Sequence, residues 1–514
     1  MESRLFAGST LWDAVHHRPR VAQPPVWYEA MMTTICEGLG RWAASLTEAD
    51  IPESVRERSA LQRASIMAAA RAGEREAAPF AEVAGKGPLG EVFASAAASI
   101  AHDWDDYLYM GHTGHSAVAV SRAFAPDEPA RALVAQVAAN EVAGRLGLAL
   151  FLGPHNGQFW ASIHCAAGAV AAGVGLGLDA QRLAHALAIA LYQPPYGLWP
   201  GFMGPPTKLL TAAEPAVQGA RAALLAARGV EGALEIVEDD RGLLTHLSFV
   251  PRPSAFGGLG EVWLSDTLAF KPHPGCAYLQ SAVDAALSAE VSPAEIREVE
   301  IAGGYLTAAM EALSERAGLR PVGVTFSAKL SVAVAILAGR LTHNELSEAW
   351  LTDNESAIRE LTARTAVRHD WGLTLATLQG AARGGATLRE VPLKAWPRVG
   401  RRLRELHMTD LSLGMRDVRA LACEPRLLRR LRRAALGPGG GGTETLDTRA
   451  LRMTFPCRLR LRLRSGRVVE LEGGEPGACG HPLAEQREVV ERKLALIGIA
   501  SGTGPASACG PDLV

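Results

Sequence analysis

The chain has almost none of the signatures that identify common enzyme classes. No GxGxxG follows a strand-like run, and there is no Walker loop, GxSxG or HExxH. A nucleotide cofactor, a serine-hydrolase elbow and a zincin site are therefore not expected. Its seven cysteines fall without CxxC spacing, so neither a zinc site nor a disulfide framework is indicated, and a reducing cytoplasm fits. Charge of one sign is also lacking. Fifty-two basic residues stand against fifty-four acidic ones, which excludes a broad phosphate-binding surface. The basic run "PRLLRRLRRAAL" (425–436) reads as an amphipathic helix with a solvated arginine face. No N-terminal signal is evident. The uncharged stretches 159–178 and 186–203 carry Gly, His164, Pro194 and Pro195, and do not read as the ~20-residue apolar span that a bilayer needs.

What is present is helix-forming sequence. Residues 1–266 read as one helix after another. In "DEPARALVAQVAANEVAGRLGLALFLG", Asp127 suits a cap and Pro129 the first turn. The segment "SIHCAAGAVAAGVGLGLDAQRLAHALAIALY" is rich in Ala and Gly, which suits a central, closely packed helix pair. From 267 the texture changes. "REVEIAG" (297–303) and "TARTAVRHD" (362–370) read as strands and "SAKLSVAVAILAGRL" (327–341) as a helix. "CRLRLRLRSGRVVELE" (457–472) reads as a hairpin turning at Ser465-Gly466, with leucines on one face and arginines on the other. The expected fold is mainly α with an inserted α+β domain: a helical domain (1–266), a lid with an antiparallel sheet (267–476, containing a Gly-rich linker at 437–442), and a C-terminal segment (477–514). The helix of that last segment, "PLAEQREVVERKLALIG", returns to the first domain.

Chemistry concentrates in "DWDDYLYMGHTGHS" (103–116): three carboxylates, two tyrosines and two histidines. Crowding raises at least one carboxyl pKa, and His112 and His115 are the natural proton carriers. The bland alternative is a capped, solvated helix end. The two histidines with three aspartates also suggest a metal site, but "HTGHS" looks like a turn and no third soft ligand is evident. "DWDD" echoes the acid motif of protonation-initiated terpene cyclases. "YQPPYGLWPGFMGPPTKLL" (192–210) holds five prolines, four aromatics and a single cation, Lys208. It is either a stiff interhelix loop or an apolar pocket wall presenting one ammonium. In "FKPHPGCAYLQSAVDAALS" (270–288), Lys271, His273 and Cys276 lie just before a helix, and the loop's backbone N–H groups with Lys271 could hold a carboxylate at its N-terminus.

Taken in order, these segments resemble the MmgE/PrpD family, which includes 2-methylcitrate dehydratase, cis-aconitate decarboxylase and iminodisuccinate epimerase. The resemblance runs over roughly residues 30–500. It is carried by "DWDDYLYMGHTGHSAV", "TKLLTAAEPAVQGARAALLAARGVEG", "FKPHPGCAYLQSAVDAAL", "TFSAKLSVAVAILAGRLT" and "GHPLAEQREVVERKL". It implies a helical domain and a lid with the active site in the cleft between them, a homodimer, and no cofactor or metal. It also implies acid–base chemistry by Asp103 and by His112 or His115, with Tyr107 where the family often has Thr. Lys208 and Lys271 would bind substrate, with His164, Cys276, Tyr196 and Trp199 lining the site. This chain departs from the family pattern in several places. Thr211 replaces a His and Glu214 an Arg, Cys276 stands where decarboxylases have His, and "FWASIHCAAG" replaces "HPTG". The expected enzyme is a lyase (dehydratase or decarboxylase) or an isomerase acting next to a carbonyl or carboxylate. Its substrate would be larger and less charged than citrate analogues. A cyclase on a biosynthetic intermediate and a non-catalytic binding protein are the alternatives. The high Ala, Arg and Gly content points to a bacterial, specialised metabolism.

Overall fold

The computed structural model describes residues 33–151, 153, 160–314, 317–383, 393–405, 419, 423–436 and 447–499. The Gly-rich stretch 437–442 lies outside them. The first half is a layered set of helices: α1 (Ile35–Ser45), α2 (Glu53–Val83), α3 (Pro88–Ile100), α4 (Gly114–Phe124), α5 (Pro129–Ala149), α6 (Ser162–Gly175), α7 (Ala180–Leu191) and α8 (Leu210–Ala227). Pro129 opens α5 as expected, but the capping position is Glu128 and carries no side-chain cap, so Asp127 does not fill that role. The Ala/Gly-rich α6 is almost wholly buried and packs on both α5 and α8. Its glycines have a steric reason. A Cβ on Gly168 would strike the Ala216 carbonyl, and one on Gly219 would strike the Cys165 carbonyl. Ala, Val and Leu from these helices form one large apolar core running from Cys36 to Trp263.

A second core joins α9 (Gln280–Leu287) and α10 (Ala328–Ala338) to one face of a four-stranded sheet. The sheet order is β4 (Thr365–His369), β3 (Ile296–Gly303), β5 (Cys457–Leu463) and β6 (Val468–Glu472). β3–β5 and β5–β6 are antiparallel, as the hairpin pattern requires. β3 and β4 run parallel, so the sheet is mixed rather than antiparallel. The reason is the long helical excursion between Gly303 and Thr365, which carries the chain back to the same end of the sheet. Leu459 and Leu461 are buried against β3 partners Ile301 and Val299. On the opposite face Arg460 pairs with Glu470 at 3.2 Å and Arg462 with Glu298 at 3.5 Å. Phe202 and Met203 of the proline-rich loop also enter this second core. α11 (Trp371–Arg383) packs on α12 (Pro425–Leu436), which buries Leu431 and Ala434 and leaves its arginines exposed. α13 (Leu483–Leu496) packs back onto α2. Among the described residues no helix is long and apolar enough to cross a membrane.

A two-stranded ribbon positions the chemistry. β1 (Asp106–Tyr107) pairs antiparallel with β2 (Ala269–Phe270), with Asp106 opposite Phe270. The ribbon fixes segment 103–116 against segment 270–276. Further backbone bonds run from the Lys271 N–H to the Asp105 carbonyl (3.3 Å) and from the Gly275 N–H to the His102 carbonyl (3.0 Å).

Candidate active site

The chain leaves α3 through Asp103, which takes the left-handed conformation (φ 52°). Asp is one of the few residues with a side chain that tolerate this region. After β1, a tight turn pairs Leu108 with Gly111, and α4 then begins at Gly114. "HTGHS" is thus a helix start rather than a turn. Gly114 is needed because a Cβ there would strike the Asp106 carboxylate and Ile66. The turn folds His112 and His115 back over the aspartates.

The aspartates are fully buried, so the solvated-end reading fails. The carboxylate that meets both histidines is Asp105. His112 Nδ1 lies 2.6 Å from its Oδ2, and His115 Nε2 lies 3.1 Å from the same oxygen in a less favourable direction. Lys271 Nζ donates to Asp105 Oδ1 at 2.5 Å and to the Asp103 carbonyl at 2.8 Å. Asp103 instead accepts from Lys208 Nζ (2.8 Å) and from the Cys276 thiol (2.9 Å). Lys208 Nζ also sits 4.8 Å over the Phe326 ring. Both lysines are buried and hold carboxylates of the chain itself, where the sequence suggested groups held out for a substrate.

These contacts set the charges. Burial pushes Asp103 up, but Lys208 and then Lys271 outweigh it and hold the carboxyl below its ordinary range. Asp105 is held well below that range, because Lys271, His112 and His115 together outweigh its burial. Asp106 is the crowded carboxyl that rises, to about 7, through burial and then the Asp105 charge. It accepts one hydrogen bond, from Gln62 (2.8 Å), while its Oδ1 has no partner. Burial lowers His115, only partly countered by Asp105, so it is a poorer proton acceptor near neutrality than its sequence position suggested. Its Nδ1 lies 2.8 Å from Ser99 Oγ. Burial, then His115 and His112, drive His164 well below the ordinary histidine value, and its Nδ1 lies 3.1 Å from Ser116 Oγ. Burial keeps Cys276 a thiol and Tyr107 a phenol, the Asp103 charge adding to the first and Glu475 to the second.

His112 differs from the rest. Its side chain is 12% exposed, whereas Asp105, Lys208, Lys271 and His115 are essentially closed off. Tyr107 flanks it, with ring centroids 6.1 Å apart. His164 stands behind His115, its ring centroid 5.9 Å away. The aromatic loop reaches the cluster indirectly: Trp199 packs on Phe202, Phe202 on Phe326, and Phe326 lies under Lys208. Tyr196 is largely exposed, and Glu214 lies on the exposed face of α8, so its charge does not enter the buried cluster. The cavity lined by Cys36, Leu39, Val142, Ala166 and Phe256 belongs to the helical core and shares no residue with the cluster. Among the described residues no group of three or more His, Cys, Asp or Glu side chains is arranged to hold a metal ion.

Sequence reasoning counted Asp105 among the crowded carboxylates but gave the place beside the histidines to Asp103, where the structure puts Asp105. It also missed Lys493 of α13, which is buried and donates to the Trp104 carbonyl. A signal for Lys493 was present: it lies four residues after Val489 and three after Val490, on the apolar face of its helix.

Residues 57–254 match the sequence model described as the MmgE/PrpD N-terminal domain. That span contains Asp103, Asp105, His112, His115, His164 and Lys208, while Lys271, Cys276 and Lys493 lie beyond it. No curated protein matches the chain.

Proposed function

The chain belongs to the MmgE/PrpD family, whose members are generally dehydratase- or lyase-type enzymes, and from that premise we propose that it moves a proton at a carbon next to a carbonyl or carboxylate. The observation that carries this reading is the 2.6 Å contact between Asp105 and His112, the cluster's partly exposed member. His112 takes the proton. Asp105 fixes the ring through Nδ1 and balances the imidazolium charge, a pairing that contributes on the order of 10²–10⁴ in rate. Elimination or isomerisation follows from the carbanion-like species; in a decarboxylation the loss of CO₂ would itself leave that species, and His112 would return a proton to it. The site lies in the cleft between the helical part and the lid, and the working unit is a cytoplasmic homodimer without cofactor.

The charge balance bears on the substrate. Lys208 and Lys271 already face Asp103 and Asp105 at contact distance, so neither ammonium is surplus. A tricarboxylate would bring charge that this cluster does not match. The proposed substrate is a carbonyl compound with at most one or two carboxylates.

The test is solvent exchange. The enzyme is incubated in D₂O with a panel of keto acids and mono-, di- and tricarboxylates, and proton spectra are followed. Deuterium should enter a C–H position of a lightly charged member, and His112→Ala should abolish it. Turnover of cis-aconitate or 2-methylcitrate at about 1–1000 per second would overturn the substrate assignment. If no compound exchanges although a bound ligand protects the fold, the chain is a binding protein.

A further inference from the structure

We propose that Lys493 is a positioning residue of this site: the C-terminal helix delivers its ammonium to the Trp104 carbonyl and so fixes Asp105 against His112. This rests on the reading of Asp105 and His112 as the proton-transfer pair.

Lys493 is buried, yet its helix neighbours Val489 and Val490 show that this face of α13 is apolar. Removing an ammonium from water costs several kcal/mol. A helix that only needed anchoring to α2 would be better served by another aliphatic side chain. What lysine supplies is a donor. Its Nζ donates to the Trp104 carbonyl and to Ser65 Oγ (2.9 Å), and it lies 5.3 Å over the Trp104 indole. Trp104 stands between Asp103 and Asp105 and is held from the other side as well, where its Nε1 donates to the Lys271 carbonyl (3.1 Å). The peptide leading into Asp105 is therefore clamped at its carbonyl by α13 and at its indole by the lid segment. Burial brings the Lys493 amine down to about 7, Asp105 and Asp106 favouring the ammonium and Lys271 opposing it, and in either protonation state Nζ carries the N–H that the Trp104 carbonyl accepts. Lysines from three separate parts of the chain (208, 271 and 493) thus converge on the four residues 103–106. Only Lys493 touches neither carboxylate of the His and Lys pairs.

Turnover alone would not separate positioning from general loosening, so the primary readout is spectroscopic. A 2.6 Å histidine–carboxylate hydrogen bond gives a far-downfield proton resonance, identified by its loss in Asp105→Asn and in His112→Gln. In Lys493→Met, which fills the same volume, the resonance should move upfield or vanish while the protein still unfolds cooperatively. Exchange turnover should fall about 10–100-fold, in line with other supporting residues, with KM little changed. An unchanged resonance in the folded variant overturns the proposal. If Lys493→Met does not fold, Ser65→Ala frees one of the two anchors of Nζ. The same resonance must then shift, and its constancy is equally decisive. A wild type that shows the resonance but exchanges no panel compound counts against the proposed function and not against the clamp.

Discussion

At the scale of single residues, the site is organised by which carboxylate meets which cation. Asp105→Asn would remove the charge that faces both Lys271 and His112. Breaking one partner of a buried pair typically costs about 3–5 kcal/mol, because the other charge is left uncompensated. The same change should lower exchange turnover by about 10²–10⁴. Asp103→Asn should cost similar stability through Lys208, since Asn also tolerates the left-handed backbone at 103. Its effect on turnover should be smaller, because Asp105 stays against His112. Denaturant melts combined with exchange rates separate the two. A double variant, Asp105→Asn with Lys271→Met, should recover much of the stability and none of the activity. Equal activity loss in the two single aspartate variants would show that Asp103 also serves the histidines. One aspartate is raised, as crowding led one to expect, but it is Asp106, and burial is the first cause with the Asp105 charge second. The Asp105–His112 pairing was not legible, because it depends on a left-handed residue at 103 and a turn at 108–111. Nor was the burial of Lys208 and Lys271, since a proline-rich loop carries no periodicity to reveal which side faces inward.

At the scale of elements, periodicity was a good guide where contacts are local. The helix beginning at Pro129, the strands near 297 and 365 and the hairpin after Cys457 stand where their patterns put them. The parallel pairing of β3 with β4 was not legible, since it is decided by a 61-residue excursion whose path no local pattern encodes. The central place of α6 was legible in outline from its small residues; its close crossing with α8 was not, and that crossing supports a quantitative expectation. Replacing Gly168 or Gly219 by Ala gains up to about 1 kcal/mol of helix propensity. It also forces a methyl group into a backbone carbonyl that cannot rotate away. Overpacking of this kind costs roughly 1–3 kcal/mol or more, so both variants should be less stable than wild type. Unchanged or raised denaturation midpoints would mean that the two helices can separate without penalty.

At the scale of the whole molecule, the chain carries an unusual load of buried ionisable groups, and their pKa directions fix how stability depends on pH. Among the described residues four histidines are shifted down by burial: His115, His164, His273 (to about 4) and His343. Below their unfolded value of about 6.5, the unfolded chain takes up protons that the fold refuses, so each contributes stability that is lost as pH falls toward 4. Four carboxyls act oppositely, all raised chiefly by burial: Asp106 (to about 7), Glu475 (to about 8), Glu238 and Glu311. Each keeps a proton in the fold that the unfolded chain has released above pH ~4.5, and each loses that contribution as pH rises through its folded value. Between pH 4 and 6.5 the two sets oppose each other in equal number, so the net slope is a balance and the share of one group is read by removing it. His164 isolates one share of the effect, because burial, then His115 and His112, hold it well below the ordinary histidine value in the fold. His164→Gln keeps a polar partner for Ser116 and removes one titration. The pH slope of unfolding free energy between pH 4 and 6 should then drop, by up to about 1.4 kcal/mol per pH unit relative to wild type. Denaturant melts at half-unit intervals measure that difference. Parallel slopes for the two proteins would show that His164 takes up a proton in the folded state, which would make it a member of the proton-transfer set rather than a neutral neighbour behind His115.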